Sequence, residues 1–280
     1  MQELSGKVAV VTGAGSGIGR AMATRFAAEG MRVVLADVEE GALKEAASAI
    51  EEATPGVGLL THVSDVRHAA EVEGLADAVY DEWGQVDVLC NNAGVFVGGY
   101  LWERPAADLE FVLGVNLWGI LHGIRAFVPR MIAQDTEGHV VNTASIAGLL
   151  GSPYAGPYTI SKFAALAASE ALAGDLIASG SKLRASALCP GIVKTRIVES
   201  DRNRPADLAT PLTGDQEFVT AYLNDAVTRG IDPADVAGLV VDAIRAERFL
   251  ILTHPHHGQY LVARAEQLAA GELPAIADFE

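Results

Sequence analysis

Between a β-branched run, Lys7-Val8-Ala9-Val10-Val11, and a helix-like stretch, Gly17 to Glu29, lies Thr12-Gly13-Ala14-Gly15-Ser16-Gly17-Ile18-Gly19. This segment constrains the fold more than any other. Glycines let a chain turn tightly and bring its backbone close to a ligand, with no Cβ in the way. A helix that starts there offers free N–H groups and the positive end of its dipole. Strand, glycine turn and helix together are the parts of a dinucleotide phosphate site. Gly13, Ser16, Gly17, Ile18 and Gly19 are its candidate contacts. The spacing Gly13-x-x-x-Gly17-x-Gly19 differs from the commonest G-x-G-x-x-G fingerprint.

The rest of the chain repeats the alternation. Strands are expected at 32–36, 57–62, 86–89, 139–143, 183–188 and 249–253. Helices are expected at 39–53, 69–83, within 105–133, at 157–179 and at 258–270. The strands are almost uninterruptedly apolar, which marks a sheet covered on both faces. Strand–helix–strand repetition implies right-handed crossovers and a parallel sheet. The expectation is an α/β, doubly wound, seven-stranded parallel sheet in one domain spanning 1–280. Residues 195–230 break the rhythm, with Pro205 and Pro211 inside a polar stretch, and are expected to be a substrate loop or lid. Residues 254–280 read as a C-terminal extension.

Half of the 280 residues are hydrophobic, enough for a sizeable core, and the net charge is −16. An acidic surface repels phosphate backbones, so nucleic acid is not an expected partner. Cys90 and Cys189 lie in apolar stretches and read as buried free thiols. The first seven residues carry no leader pattern. The apolar stretch 111–124 is shorter than the ~18 residues a membrane span needs. A cytoplasmic protein with no membrane partner is expected.

Asp37 ends the second strand, where an acid accepts hydrogen bonds from an adenosine ribose. Its carboxylate would repel a 2′-phosphate. No basic residue stands in the turn before Gly19 or directly after Asp37, at Val38. The expected cofactor is NAD rather than NADP.

At this point the chain resembles the short-chain dehydrogenase/reductase family. Thr12-Gly13-x-x-x-Gly17-x-Gly19 is similar to that family's cofactor turn. Asp65, with Val66, matches the acid that meets the adenine. Asn91-Asn92-Ala93-Gly94 matches its N-N-A-G after the fourth strand. Asn116, Ser145, Tyr158 and Lys162 fall where it places a catalytic tetrad. Pro190-Gly191-Ile192-Val193-Lys194-Thr195 resembles its P-G-x-V-x-T. The resemblance implies strand order 3-2-1-4-5-6-7. It also implies cofactor contacts from Asn92, Ala93, Gly94, Pro190, Gly191, Val193 and Thr195, the last three gripping the carboxamide. The usual Asp-Gly-Gly after the last strand is absent, and Thr253-His254-Pro255 stands there instead.

Tyr158 and Lys162 are four apart on an expected helix and share one face. A phenol ionises near 10, too high for easy proton exchange at neutral pH. An ammonium beside it favours the phenolate. Tyr158 is expected to exchange a proton with the substrate oxygen, Lys162 to lower the phenol's pKa and hold the ribose, and Ser145 to position the oxygen. By analogy, Asn116 would hold a water leading from Lys162 to solvent. Aromatic stretches 96–102 and 149–154 suit a hydrophobic, ring-bearing secondary alcohol or ketone. A catalytically silent NAD-binding regulator, a nucleotide-sugar epimerase and a methyltransferase fit less of the pattern. His254, His256 and His257 crowd one turn without a paired acid, so no metal site is expected. Small residues along 163–168 permit close helix contact, and the resemblance implies that this helix and the 111–133 helix build a dimer face, so a homodimer or homotetramer is expected.

Overall fold

The computed structural model describes residues 1–274. Seven parallel strands form one sheet in the order β3-β2-β1-β4-β5-β6-β7. They are β1 Val8–Thr12, β2 Arg32–Asp37, β3 Leu59–Val63, β4 Val88–Asn91, β5 Gly138–Thr143, β6 Leu183–Cys189 and β7 Leu250–Leu252. In register, Val10 lies opposite Val34 of β2 on one side and Leu89 of β4 on the other. The order reverses at β1, and a crevice opens beyond the carboxyl ends there.

Alternate residues of each strand feed opposite layers. Ala9 and Val11 pack with α1 (Gly17–Ala28), α2 (Glu40–Ala53) and α8 (Pro233–Ala246). Val8 and Val10 pack with α3 (Ala69–Trp83) and the α4–α5 helix. Two-sided burial is why these strands read as continuous apolar runs. β3 departs from that expectation: Thr61 and Val63 are exposed because β3 is the sheet edge.

Two findings differ from the sequence reading. Residues 195–230 are not irregular throughout. They hold a 3₁₀ segment, Ile197–Asn203, and a regular helix, α7 (Gly214–Arg229). Thr213-x-x-Gln216 starts α7 with a capping box, the Thr213 backbone N–H donating to Gln216 Oε1 at 3.1 Å. The second concerns the apolar helix. α4 (Ala106–Leu113) and α5 (Gly119–Ala133) are joined through a π turn, Gly114–Trp118. Residues 106–133 therefore make one helix that is long and apolar enough to cross a membrane by length and composition. Phe111, Val112, Ala126, Phe127 and Met131 on it are buried against the sheet layer. The remaining helices are α6 (Gly156–Ala178) and α9 (His257–Ala269). The C-terminal extension is thus helical to 269, and 275–280 lie outside the described residues.

Candidate active site

The carboxyl ends of β1, β4, β5 and β6 open into a cleft of about 500 Å³. Every residue assigned from sequence to cofactor or chemistry lines it, except Asn116.

The glycine turn is built as its composition requires. Gly13 and Gly17 have φ of 67° and 52°, where side chains are strained. A Cβ on Gly13 would stand 2.8 Å from Ala93 Cα, and one on Gly19 would overlap the Gly13 carbonyl. Ser16 begins α1 without capping it by its side chain. The first-turn N–H groups, which have no partner within the helix, therefore remain available at the cleft wall. That bare, side-chain-free cradle fits a pyrophosphate.

Asp37 does more than end β2. Its Oδ2 accepts the Gly15 N–H at 2.8 Å and its Oδ1 accepts the Glu39 N–H at 3.0 Å. The carboxylate thus pins the glycine turn and keeps second lone pairs for a ribose. Beyond the turn, two arginines not assigned from sequence line the cleft wall, one next to Val66 and one from the distant 197–203 segment. Arg67 pairs with Asp65 at 2.6 Å, and Arg202 pairs with Glu39 at 3.0 Å. Burial alone would raise the Asp65 carboxyl; the Arg67 guanidinium overrides it and holds it below the usual range. The acid expected at the adenine is therefore engaged by its own neighbour, which leaves its role there to the outer lone pairs and backbone.

Asn92 ties three strands together at this end. Its backbone N–H donates to Thr12 Oγ1 at 2.9 Å, its Nδ2 donates to the Thr12 carbonyl at 3.0 Å, and its Oδ1 accepts from Thr143 Oγ1 at 3.2 Å.

The chemical group sits across the cleft on β5 and α6. Ser145, just past β5, accepts the Ala147 N–H at 3.1 Å. Lys162 is buried, and its Nζ donates to the Thr143 carbonyl at 2.9 Å. The same Nζ lies 5.6 Å from the Tyr158 ring centroid. Phe96 packs on Tyr158 with centroids 5.1 Å apart. Burial pushes the Tyr158 phenol up, and a hydrogen bond with Ser145 pulls the other way. Burial also pushes the Lys162 amine down, to about 8. The amine bonds a backbone carbonyl, and burial sets the direction in which the phenol moves.

Asn116 is placed differently from the other three. It lies in the π turn, fully buried and outside the cleft. Its Oδ1 accepts the Val95 N–H at 2.8 Å, while Nδ2 donates to the Val95 carbonyl at 3.0 Å and to Ser161 Oγ at 2.9 Å. Both amide hydrogens are spent, so the side chain fixes the loop after β4 against α6 and offers no N–H to a water. The wide turn that makes this reach possible has no sequence signature.

Phe218, Val219, Tyr222 and Leu223 of α7 close the outer wall, facing Tyr154 across it. A buried ionic cluster holds the segment leading into α7 against α4. Asp108 of α4, fully buried, accepts from Arg204 at 2.8 Å and from Thr210 Oγ1 at 2.9 Å. Arg104, with a side chain 1% exposed, pairs with Asp108 at 3.5 Å and with Asp215 at 3.1 Å. Asp215 also accepts the Tyr100 N–H at 2.6 Å.

A dinucleotide cradle, a phenol, a hydroxyl and a buried amine facing one cleft define an oxidoreductase of the dinucleotide-binding class. Comparison with known proteins agrees. The family model for short chain dehydrogenases matches residues 7–206. The chain belongs to the short-chain dehydrogenase/reductase family. It is similar to a short-chain dehydrogenase/reductase from Burkholderia phymatum, solved in complex with NAD: 43% identical, TM-score 0.96, covering 99% of each chain. It is 32% identical to the CLA biosynthesis dehydrogenase/reductase of Lactiplantibacillus plantarum over 99% of this chain and 98% of that one. It is 36% identical to the 1-deoxy-11-beta-hydroxypentalenate dehydrogenase of Streptomyces exfoliatus, over 90% and 84% respectively.

Proposed function

We propose that this oxidoreductase uses NAD and interconverts a hydrophobic, ring-bearing secondary alcohol and its ketone. The observation that carries the reading is the meeting of Tyr158, Ser145 and Lys162 in one cleft with the glycine turn. The bound nicotinamide supplies or accepts the hydride and, when oxidised, adds a positive charge to the cleft. The chain's own groups do the rest. Ser145 and Tyr158 hold the substrate oxygen. In reduction, the protonated phenol delivers its proton to that oxygen. In oxidation, the phenol must first lose its proton, and positive charge beside it makes that easier. Lys162 holds the ribose with the hydrogens not given to Thr143. Asn116 acts as a positioning residue through Val95 and Ser161. Phe96, Tyr154 and the apolar face of α7 favour a large apolar substrate and exclude water from the reacting oxygen.

Tyr158→Phe tests the reading. Turnover should fall by about 10²–10⁴-fold, the usual worth of a positioned proton donor, with NADH affinity held within a few-fold. Near wild-type turnover sinks the assignment. Asp37 supports NAD over NADP, since a like charge set against a phosphate costs several kcal/mol, on the order of 100-fold or more. Parallel assays with the two cofactors read it directly. We further propose a cytoplasmic homodimer or homotetramer working as a single-domain unit. Trp118 on the turn between α4 and α5 and Ile160 and Ile177 on α6 are 49%, 43% and 72% exposed, and light scattering that shows a monomer removes this.

A further inference from the structure

The three histidines left over from the sequence lie directly behind the loop that leaves β6. Gly191 donates its backbone N–H to Thr253 Oγ1 at 2.9 Å. The same oxygen is 2.9 Å from His254 Nδ1. A Cβ on Gly191 would meet His254 Nδ1 at 2.6 Å and His257 Cε1 at 2.7 Å, so the imidazoles abut this loop. On its other side Pro190 and Gly191 line the cleft, and the Pro190 carbonyl accepts the Ile146 N–H at 2.8 Å, next to Ser145. One hydroxyl thus stands between a cofactor-facing amide and an imidazole.

The hydrogen count fixes the direction. Thr253 Oγ1 uses a lone pair for Gly191 and has a single hydrogen to give. Nδ1 of His254 takes that hydrogen only if it carries none, which requires the neutral Nε2–H tautomer. Were His254 protonated, Nδ1–H would donate to the same oxygen. The hydroxyl hydrogen of a residue 8% exposed would then need another acceptor. The surroundings oppose that charge. His254 stacks on His257 at 4.9 Å and lies edge-on to His256 at 5.9 Å. These are the ionisable groups facing it from its own turn and from α9. Tyr260 faces His256 and His257, and the abutting Pro190-Gly191 segment has no ionisable side chain. Among the described residues no group of three His, Cys, Asp or Glu side chains could hold a metal ion.

Resting on the oxidoreductase reading above, we propose that Thr253 and His254 are a positioning pair for the cofactor-facing loop: the neutral imidazole accepts the Thr253 hydrogen, and Thr253 in turn fixes the Gly191 amide. Cofactor affinity then depends on His254 staying uncharged. Burial and the neighbouring His256 keep its pKa below the ordinary histidine value. The dependence therefore shows only on the acid side, as pH falls below about 6.5.

The test is NADH binding by fluorescence titration from pH 8 to pH 5.5, on the wild type and three variants. Wild-type affinity should be level above the histidine range and fall below it. His254→Phe removes the acceptor and should weaken binding about tenfold at every pH, the worth of one hydrogen bond. Thr253→Val, nearly isosteric, should do the same and stands in if the ring variant misfolds. His254→Asn places an amide oxygen near the Nδ1 position without a titratable group. It should restore affinity and remove the acid fall, although His256 and His257 remain in place. Wild-type affinity in His254→Phe and Thr253→Val, or an unchanged acid fall in His254→Asn, overturns the pair. A wild type that binds no NADH overturns the oxidoreductase reading itself, a different outcome from variants that bind as well as wild type.

Discussion

Asp108→Asn should cost more than its conservative size suggests. Asp108 is fully buried, and the arginine side chains it faces, Arg104 and Arg204, are 1% and 7% exposed. Neutralising it leaves two buried guanidinium groups short of an anion. Arg104 keeps Asp215 at 3.1 Å, so its loss is partial. Arg204 keeps only Asp201, whose side chain is 60% exposed, and such pairs are worth about 0–1 kcal/mol. Breaking one partner of a buried pair costs about 3–5 kcal/mol. Asparagine can still accept from Thr210, which puts the expectation near the lower figure, about 3 kcal/mol. With unfolding entropy near ~2.1 cal/mol/K per residue, a chain of this length loses about 5 °C in Tm. The damage is local in origin, because Asp108 holds the 204–216 segment that leads into α7. Protease cleavage within 197–230 should speed up, and the KM for a bulky ketone should rise more than the Kd for NADH, whose proposed contacts lie on the glycine turn, at the strand ends and on α6 rather than on α7. A melt by circular dichroism and a timed digestion read both. If Tm moves by less than about 1 °C and the digestion pattern is unchanged, the ionic cluster is not what holds the lid.

Gly19→Ala should abolish measurable NADH binding, since its Cβ would overlap the Gly13 carbonyl and reach within 2.6 Å of Asn92 Nδ2. Gly41→Ala, in α2 with nothing within 4 Å, should bind normally and gain up to about 1 kcal/mol of stability. His139, buried on β5 with Nε2 2.7 Å from Ser186 Oγ, is pushed down to about 4 by burial. Unfolded, it takes a proton below about 6.5 while the native state does not, so stability is lost as pH falls from there toward 4. The full effect is about 3 kcal/mol, and His139→Phe should flatten this part of the acid limb in urea titrations at pH 7, 6 and 5; an unchanged slope refutes it.

The legible part of this chain was the part fixed by short-range rules. The parallel strands of the core followed from apolar runs and crossovers and their order from the family resemblance, while all 18 proposed cofactor residues, placed by the glycine turn and that resemblance, line the cleft. What escaped depends on where distant segments meet. α7 carried a visible start signal, Thr213-x-x-Gln216. Its apolar residues, however, face a cleft rather than the core, and Phe218 is 61% exposed, so no buried stripe announces it. Arg202 is 163 residues from Glu39, and no local reading could put it beside the ribose acid. Asn116 invited a role in the cleft because an amide is out of place in an apolar helix. The π turn instead hands that amide to Val95 and Ser161.

The same division explains the phenol. Spacing alone put Lys162 one turn from Tyr158, and that proximity is present. Whether an amine lowers a neighbour's pKa also depends on how much water both have lost and on which groups their hydrogens bond. Here Thr143 takes a hydrogen of Lys162, and burial moves phenol and amine in opposite directions, the one up and the other down. A site with its phenol proton kept at neutral pH is set for donating to a ketone oxygen. Driving the alcohol direction then requires extra positive charge in the cleft or a higher pH. How strongly the phenol holds its proton is therefore a property of desolvation at β5 and α6, which no spacing of Tyr and Lys encodes.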